Sequence, residues 1–366
     1  MIQRMIVQNV LHRPVRAVIT VLAVAVEVTL VIIVVGLTTG LLTDTAKRVE
    51  GVGADIMVQP PSASIFMAFS GATMPIAIGD RLAELPHVRA VAPVQVQFNS
   101  VNGLDLVYGI DPKTFNAVTS GFVFHSGHDL QKPDDILIDD WYERGKHVTT
   151  GQTLHILEHD FKVVGVVEHG KGARVFALMS TLEELSGAHD KASVFFLKCD
   201  QEENTSTVVD EVGQLLPRYT VRPTKDFISL MTSSNLPGLG VFVNSMIGLA
   251  VAIGFLVIFL SMYTTVTERT REVGTLKALG ASKSYIARVI LSETTLLCLI
   301  GIAGGIGMAY GVKGLFLHAF PTLTILITPA WLVKAAGIAM IGGIIGASYP
   351  AWAAARKDPV EALAYE

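Results

Sequence analysis

Residues 17–43 read AVITVLAVAVEVTLVIIVVGLTTGLLT, with a single charged residue, Glu27. A helix needs about 20 apolar residues to cross a bilayer, so this run is long enough for one span. It is also longer than the ~7–15 apolar residues of a secretory signal, and no clear small-residue cleavage site follows. An uncleaved anchor is therefore expected. Three more stretches lack charge altogether: 227–267, 294–312 and 335–355. The reading is four spans, near 18–41, 240–264, 290–312 and 333–354.

Over the whole chain only 16% of residues are charged, against about 25% in ordinary soluble domains. A wholly soluble protein is thereby disfavoured. The formal net charge of −4 gives no hint of nucleic-acid binding. Two cysteines, Cys199 and Cys298, cannot build a disulfide framework. Basic residues near helix ends set orientation. Arg4, Arg13 and Arg16 precede the first span; Arg269, Arg271, Lys277, Lys283 and Arg288 lie between the second and third; Arg356 and Lys357 follow the fourth. Only Lys313 and Lys334 flank the third-to-fourth connection. Both termini are expected in the cytoplasm and residues 44–236 outside.

Residues 44–236 hold 25 of the 32 acidic residues, giving an acidic outer segment on a basic membrane part. Short β-patterned runs alternate there with helical ones. Strands are expected at 54–59, 88–98, 104–110, 135–138, 153–157, 161–167, 175–178, 194–198 and 219–222. Helices are expected at 79–85, 181–185 and 202–216. The fold class is an α-helical membrane protein with four transmembrane helices and a large extracytoplasmic α+β domain inserted between helices 1 and 2. A β-rich subdomain is expected near 120–190. The domain plan is 1–43, 44–236 and 237–366.

Beyond the second span, Thr264 to Gly280 stays helical in pattern. Val266, Val273 and Leu276 share a face, Arg269 and Glu272 can pair at i, i+3, and Gly280 is a plausible left-handed stop. Ser282 can cap the third helix. The result is a cytoplasmic elbow presenting charge and a narrow apolar stripe. The plainer alternative is a passive connector held by lipid headgroups. In the tail, Asp358 can cap, Pro359 takes the first helical position and Glu361 sits three after the cap, so a short helix is expected.

The run Glu268-Arg-Thr-Arg-Glu-Val-Gly-Thr-Leu-Lys-Ala-Leu-Gly-Ala-Ser282, with Glu293 and a glycine-rich third span after it, resembles the permease subunits of MacB/FtsX/LolC-type ABC transporters. The ending Tyr349-Pro-Ala-Trp-Ala-Ala-Ala-Arg-Lys-Asp-Pro-Val-Glu-Ala-Leu363 is similar to that family's tail. The likeness covers nearly the whole chain, in a stand-alone four-span form without a fused ATPase. It implies a homo- or heterodimeric core in the bacterial inner membrane, bound to two ATPase subunits that hold ATP and Mg. A periplasmic adaptor and membrane lipids are further partners. Residues Glu268, Arg269, Arg271, Glu272, Val273, Leu276, Lys277 and Gly280 would form the coupling elbow. ATP-driven motion would pass to residues 44–236 to export or extract a lipid, lipoprotein, peptide or drug. The alternative is an FtsX-like regulator that activates a cell-wall hydrolase.

Catalytic signals are lacking. No phosphate-binding loop and no nucleophile elbow occurs, so the chain is read as non-catalytic, with no cofactor of its own. His125-x-x-His128, His155-x-x-x-His159 and His169 have ligand-like spacing, but 155–159 reads as strand and turn; solvated surface histidines are expected and no metal. Glu27 and Glu293 are acids within spans and are functional candidates on that ground, with a hydrogen-bonded structural role as the alternative. Gly301/Gly305, Gly307/Gly311 and Gly342/Gly346 are expected to let helices approach closely, among the spans of one subunit or at a dimer interface.

Overall fold

The computed structural model describes residues 14–61, 72–99, 105–231, 236, 238–320 and 322–358. The predicted tail helix around Pro359 and Glu361, together with Arg4 and Arg13, lies outside these residues. Four helices are long and apolar enough to cross a membrane: α1 (Pro14–Val52), α8 (Leu239–Glu268), α10 (Lys283–Ala319) and α11 (Pro329–Arg356). The chain divides into two compact units. One comprises Met1–Gly40, Gly238–Ala319 and Ile325–Glu366; the other comprises Leu41–Pro237 and Phe320–Thr324.

At 39 residues, α1 would be about 58 Å long, roughly twice the hydrocarbon thickness of a bilayer. Its last turns carry Val49 and Val52 into the core of the outer unit, and Gly53, at φ +78°, ends it. Only glycine adopts that conformation without strain.

The outer unit is built on a ten-stranded mixed sheet. Its strands are β1 (Ile56–Gln59), β3 (Val88–Asn99), β4 (Asp105–Ile110), β5 (Phe124–Gly127), β6 (Asp135–Asp139), β7 (Thr153–Ile156), β8 (His159–Val167), β9 (Val175–Leu178), β11 (Val194–Cys199) and β12 (Thr220–Pro223). The order is β12-β1-β11-β3-β4-β9-β6-β8-β5, with β7 paired to β8. A separate two-stranded pairing joins β2 (Met74–Pro75) to β10 (Lys191–Ala192). Helices α2 (Ala77–Ala83), α3 (Pro112–Thr119), α4 (Asp140–Lys146), α5 (Met179–Ser186), α6 (Thr205–Leu215) and α7 (Thr224–Leu230) complete the unit.

The expected subdomain at 120–190 is not a separate body. Parallel pairing of β4 with β9, Val107 opposite Val175 and Ile110 opposite Leu178, carries its strands into the same sheet. Tyr108, Phe115, Phe176, Phe196 and Phe227 fill one buried core. The expected helix 202–216 is a 3₁₀ turn, Glu202–Asn204, followed by α6. Helices α3 and α4 were not expected; each starts at an aspartate cap. Asp111 accepts from the Thr114 N–H at 3.1 Å with Pro112 next to it, and Asp139 accepts from the Tyr142 N–H at 2.6 Å.

In the helical unit the small residues sit where helices meet. A Cβ on Gly305 would lie 2.7 Å from the Ala25 carbonyl oxygen, and one on Gly301 2.7 Å from Val24 Cβ. Gly343 and Gly346 face Cys298, Ile258 and Phe255. A Cβ on Gly307 or Gly311 would meet nothing within 4 Å among the described residues. Thr20 and Ser261 hydroxyls bond across α1 and α8 at 2.6 Å, and Thr29 donates to the Gly305 carbonyl at 3.0 Å.

Candidate functional site

The second span does not run on unbroken into the elbow. Helix α8 ends at Glu268, Arg269 leaves helical geometry at φ −97° and ψ 17°, and α9 (Thr270–Ala278) begins anew. The break falls at a residue whose side chain is largely buried. The Arg269 guanidinium donates to Glu293 Oε2 at 3.3 Å, and both side chains are largely buried. Glu272, the predicted i, i+3 partner, lies 3.8 Å from Arg269 and is mostly solvent-exposed. The stronger partner is thus Glu293, from α10. Two residues nominated for separate reasons, one in the elbow and one in a span, form one ion pair.

The stop and restart follow local rules. Gly280 has φ +94°; its N–H bonds the Lys277 carbonyl at 2.9 Å, and the Ala281 N–H bonds that of Leu276 at 3.0 Å. This is a Schellman ending, which needs a left-handed residue at that place. Ser282 Oγ then accepts from the Tyr285 N–H at 3.2 Å and caps α10.

The apolar stripe points inward, contrary to the sequence reading. Val266 and Val273 pack with Ile286 and Ala354, and Leu276 is half-buried against a cavity of about 370 Å³. That cavity is also walled by Met262, Tyr285, Ile290, Arg269 and Glu293. The exposed set is Glu268, Arg271, Glu272, Thr275, Ala278, Leu279 and Gly280. Leu279 is 82% exposed and was not singled out from the sequence. At about 100° per residue it falls some 120° from Val273, off the buried face, so a helical wheel carries that signal.

The elbow is tied down on both sides. Lys277 Nζ donates to the Lys357 carbonyl, and Lys357 Nζ donates to Thr270 Oγ1 at 2.7 Å. Arg16 pairs with Glu268. The first turn of α1 is thus tied to the end of α8, and the residues after α11 to α9.

The other candidates lie apart. Glu27 is 6% exposed on α1, its carboxylate where a side chain at Gly254 would be, and its Oε1 has no hydrogen-bond partner among the described residues. His155, His159 and His169 pair with Asp160, Asp134 and Asp140 at 2.7, 2.9 and 3.3 Å. Among the described residues no group of three or more His, Cys, Asp or Glu is placed to hold a metal.

Two family models match the chain: a MacB-like periplasmic core domain over residues 17–215 and an FtsX-like permease C-terminal domain over 244–360. The chain belongs to the MacB- and FtsX-like ABC transporter permeases. The FtsX-like match contains the elbow, Glu293 and the Lys357 tie; the MacB-like match contains α1 and most of the sheet. A macrolide export ATP-binding/permease protein MacB from Hahella chejuensis is 27% identical over 97% of this chain. An uncharacterized ABC transporter permease YknZ from Bacillus subtilis is 29% identical over 59% of it. The chain spans 58% and 57% of those relatives' lengths. A crystal structure of the periplasmic region of MacB from Actinobacillus actinomycetemcomitans aligns with 50% of this chain and 95% of its own, at 13% identity and a TM-score of 0.39. As a member of this family, with four span-capable helices, this permease is a multi-pass membrane protein with an extracellular segment.

Proposed function

We propose that this permease passes ATP-driven motion of nucleotide-binding subunits to its outer unit, in the inner membrane, and that the motion exports or extracts a lipid, lipoprotein, peptide or drug. The chain itself is a non-catalytic part of that machine; ATP and Mg are held by the nucleotide-binding subunits. The observation that carries the reading is the elbow. A nine-residue helix is tied to Lys357 through Thr270 and Lys277, follows Glu268, which pairs with Arg16, and is capped by a bulky apolar residue, Leu279, that stands in solvent. An exposed apolar residue on a rigid charged rim is what a protein partner's groove can desolvate. The export part of the reading draws support from the macrolide export relative.

The test is co-purification of nucleotide-binding subunits from native membranes and their turnover after reconstitution. Leu279→Asp should lose the complex or its coupled turnover at least tenfold, while still inserting in the membrane. Thr267→Ser, exposed on α8, should behave as wild type. Full complex and full turnover with Leu279→Asp would leave the elbow a passive connector.

A further inference from the structure

Arg174 lies in the outer unit, 8% exposed, just ahead of β9. Its NH2 donates to Asp44 Oδ2 at 3.1 Å and to the Thr322 carbonyl at 3.1 Å; its NH1 reaches Asp139 Oδ2 at 3.4 Å. The guanidinium also lies over the Trp141 ring, 5.1 Å from its centre. Asp44 is held in turn by Arg48, which donates to it at 3.1 Å and to the Gly172 carbonyl at 3.1 Å. These groups come from four separate places in the chain: the last turns of α1, the β6–α4 junction, the approach to β9, and the connection between α10 and α11. The last is the informative one. Phe320–Thr324 belongs to the outer unit although α10 and α11, on either side of it, belong to the helical unit. Thr322 is held there by its main-chain carbonyl, so the contact depends on the arginine and on no particular side chain at 322.

We infer that Arg174 is a positioning residue that clasps the connection between the third and fourth spans to the outer unit, beside the end of the first. The chain then passes between the outer unit and the spans at four points and not two: through α1, through the chain entering α8, and at both ends of residues 320–324. Arginine suits the task because its planar fork serves several acceptors at once, whereas lysine presents a compact point charge. The inference rests on the motion-transmitting function proposed above. It adds that α10 and α11 share in the transmission.

The test uses the full chain in its native complex, by hydrogen exchange with and without ATP. In Arg174→Met, peptides covering residues 320–324 should exchange at least tenfold faster without ATP, while those of β3, β4 and β11 keep their protection. A residue serving only the stability of the outer unit would instead loosen the sheet as a whole. Arg174→Lys should fall between, and it serves if the methionine variant does not fold. With ATP, wild type should change protection at 320–324; Arg174→Met should lose that change while turnover persists. Unaltered exchange at 320–324 in both variants would overturn the clasp. If wild type itself showed no ATP-dependent change anywhere in the outer unit, the transmission function would fail and the role of Arg174 in it would fall too. The ATP-free comparison would still decide whether Arg174 holds the segment.

Discussion

Glu27 and Glu293 are both carboxylates inside apolar helices, both nearly inaccessible, and they are housed in opposite ways. Glu293 faces Arg269 at 3.3 Å, where the elbow turns. Glu27 faces the notch left by Gly254, and its Oε1 meets no hydrogen-bond donor among the described residues. An intramembrane acid is costly wherever it lies. The difference shows that burial alone does not define a role. Glu293 is one half of a joint that fixes the elbow to α10, whereas Glu27 is accommodated by removing a side chain opposite it.

The largest expected effect comes from breaking the joint. Glu293→Gln leaves the largely buried Arg269 with the exposed Glu272, at 3.8 Å, as its ion-pair partner, and Arg269→Leu removes the cation that faces Glu293 at 3.3 Å. Truncating one partner of a buried pair costs about 3–5 kcal/mol. Either change should lower the melting temperature of the detergent-solubilised protein and detach the elbow. Replacing both together should recover most of the loss, because no unpaired charge remains. A double variant as unstable as the singles would show that Arg269 acts through packing against the cavity and not through its charge.

A third buried acid, Asp139, tests whether a partner ensures a stable charge. It has Arg174 and the Tyr142 N–H beside it, yet burial outweighs both and pushes its pKa up to about 6, from an ordinary 3.8. Asp140 adds to the upward push and Arg48 opposes it. The folded state therefore holds this proton more tightly than the unfolded chain. The stabilisation is fully present below about pH 4 and is lost as pH rises through 6. A shift of that size corresponds to about 3 kcal/mol at most. Melting between pH 5 and pH 7.5 should show the trend in wild type and a flatter profile in Asp139→Asn. Equal slopes would mean that Asp139 is ionised throughout.

Local signals made much of this molecule readable. Missing charges located four helices, and the stop at Gly280 and the cap at Ser282 lay in the sequence because each depends on neighbours within one turn. What could not be read depends on residues distant in the chain. Arg269 was assigned to Glu272, three residues away, since nothing in the sequence tells that Glu293 faces it. The apolar stripe of α9 reads in sequence as presented by the elbow, but Val273 packs in one buried cluster with Ala354, eighty-one positions on. The strands at 120–190 were legible as strands, whereas the parallel pairing of Val107 with Val175 that joins them to the sheet was not. Of the glycine pairs, spacing did not distinguish Gly301 and Gly305, which touch α1, from Gly307 and Gly311, where a Cβ would meet nothing within 4 Å among the described residues.

The smallest expected effect is the sharpest test of the opening contrast. Glu27→Gln keeps the shape of the side chain, and among the described residues no hydrogen-bond donor meets its Oε1. A substitution that strands nothing and changes little volume should cost under about 1 kcal/mol. Melting of Glu27→Gln beside Glu293→Gln makes the comparison with one chemical change at two sites. The first should lie within a degree or two of wild type and the second well below it. The same pair should separate in turnover of the reconstituted complex: Glu293→Gln loosens the elbow, while Glu27→Gln leaves it untouched. A large loss of turnover in Glu27→Gln with melting unchanged would mean that the carboxyl itself is used during the cycle, when α1 and α8 move and Glu27 meets a group it does not face here. The contrast between the two acids would then be one of timing, and Glu27 would be a working residue of the transport cycle.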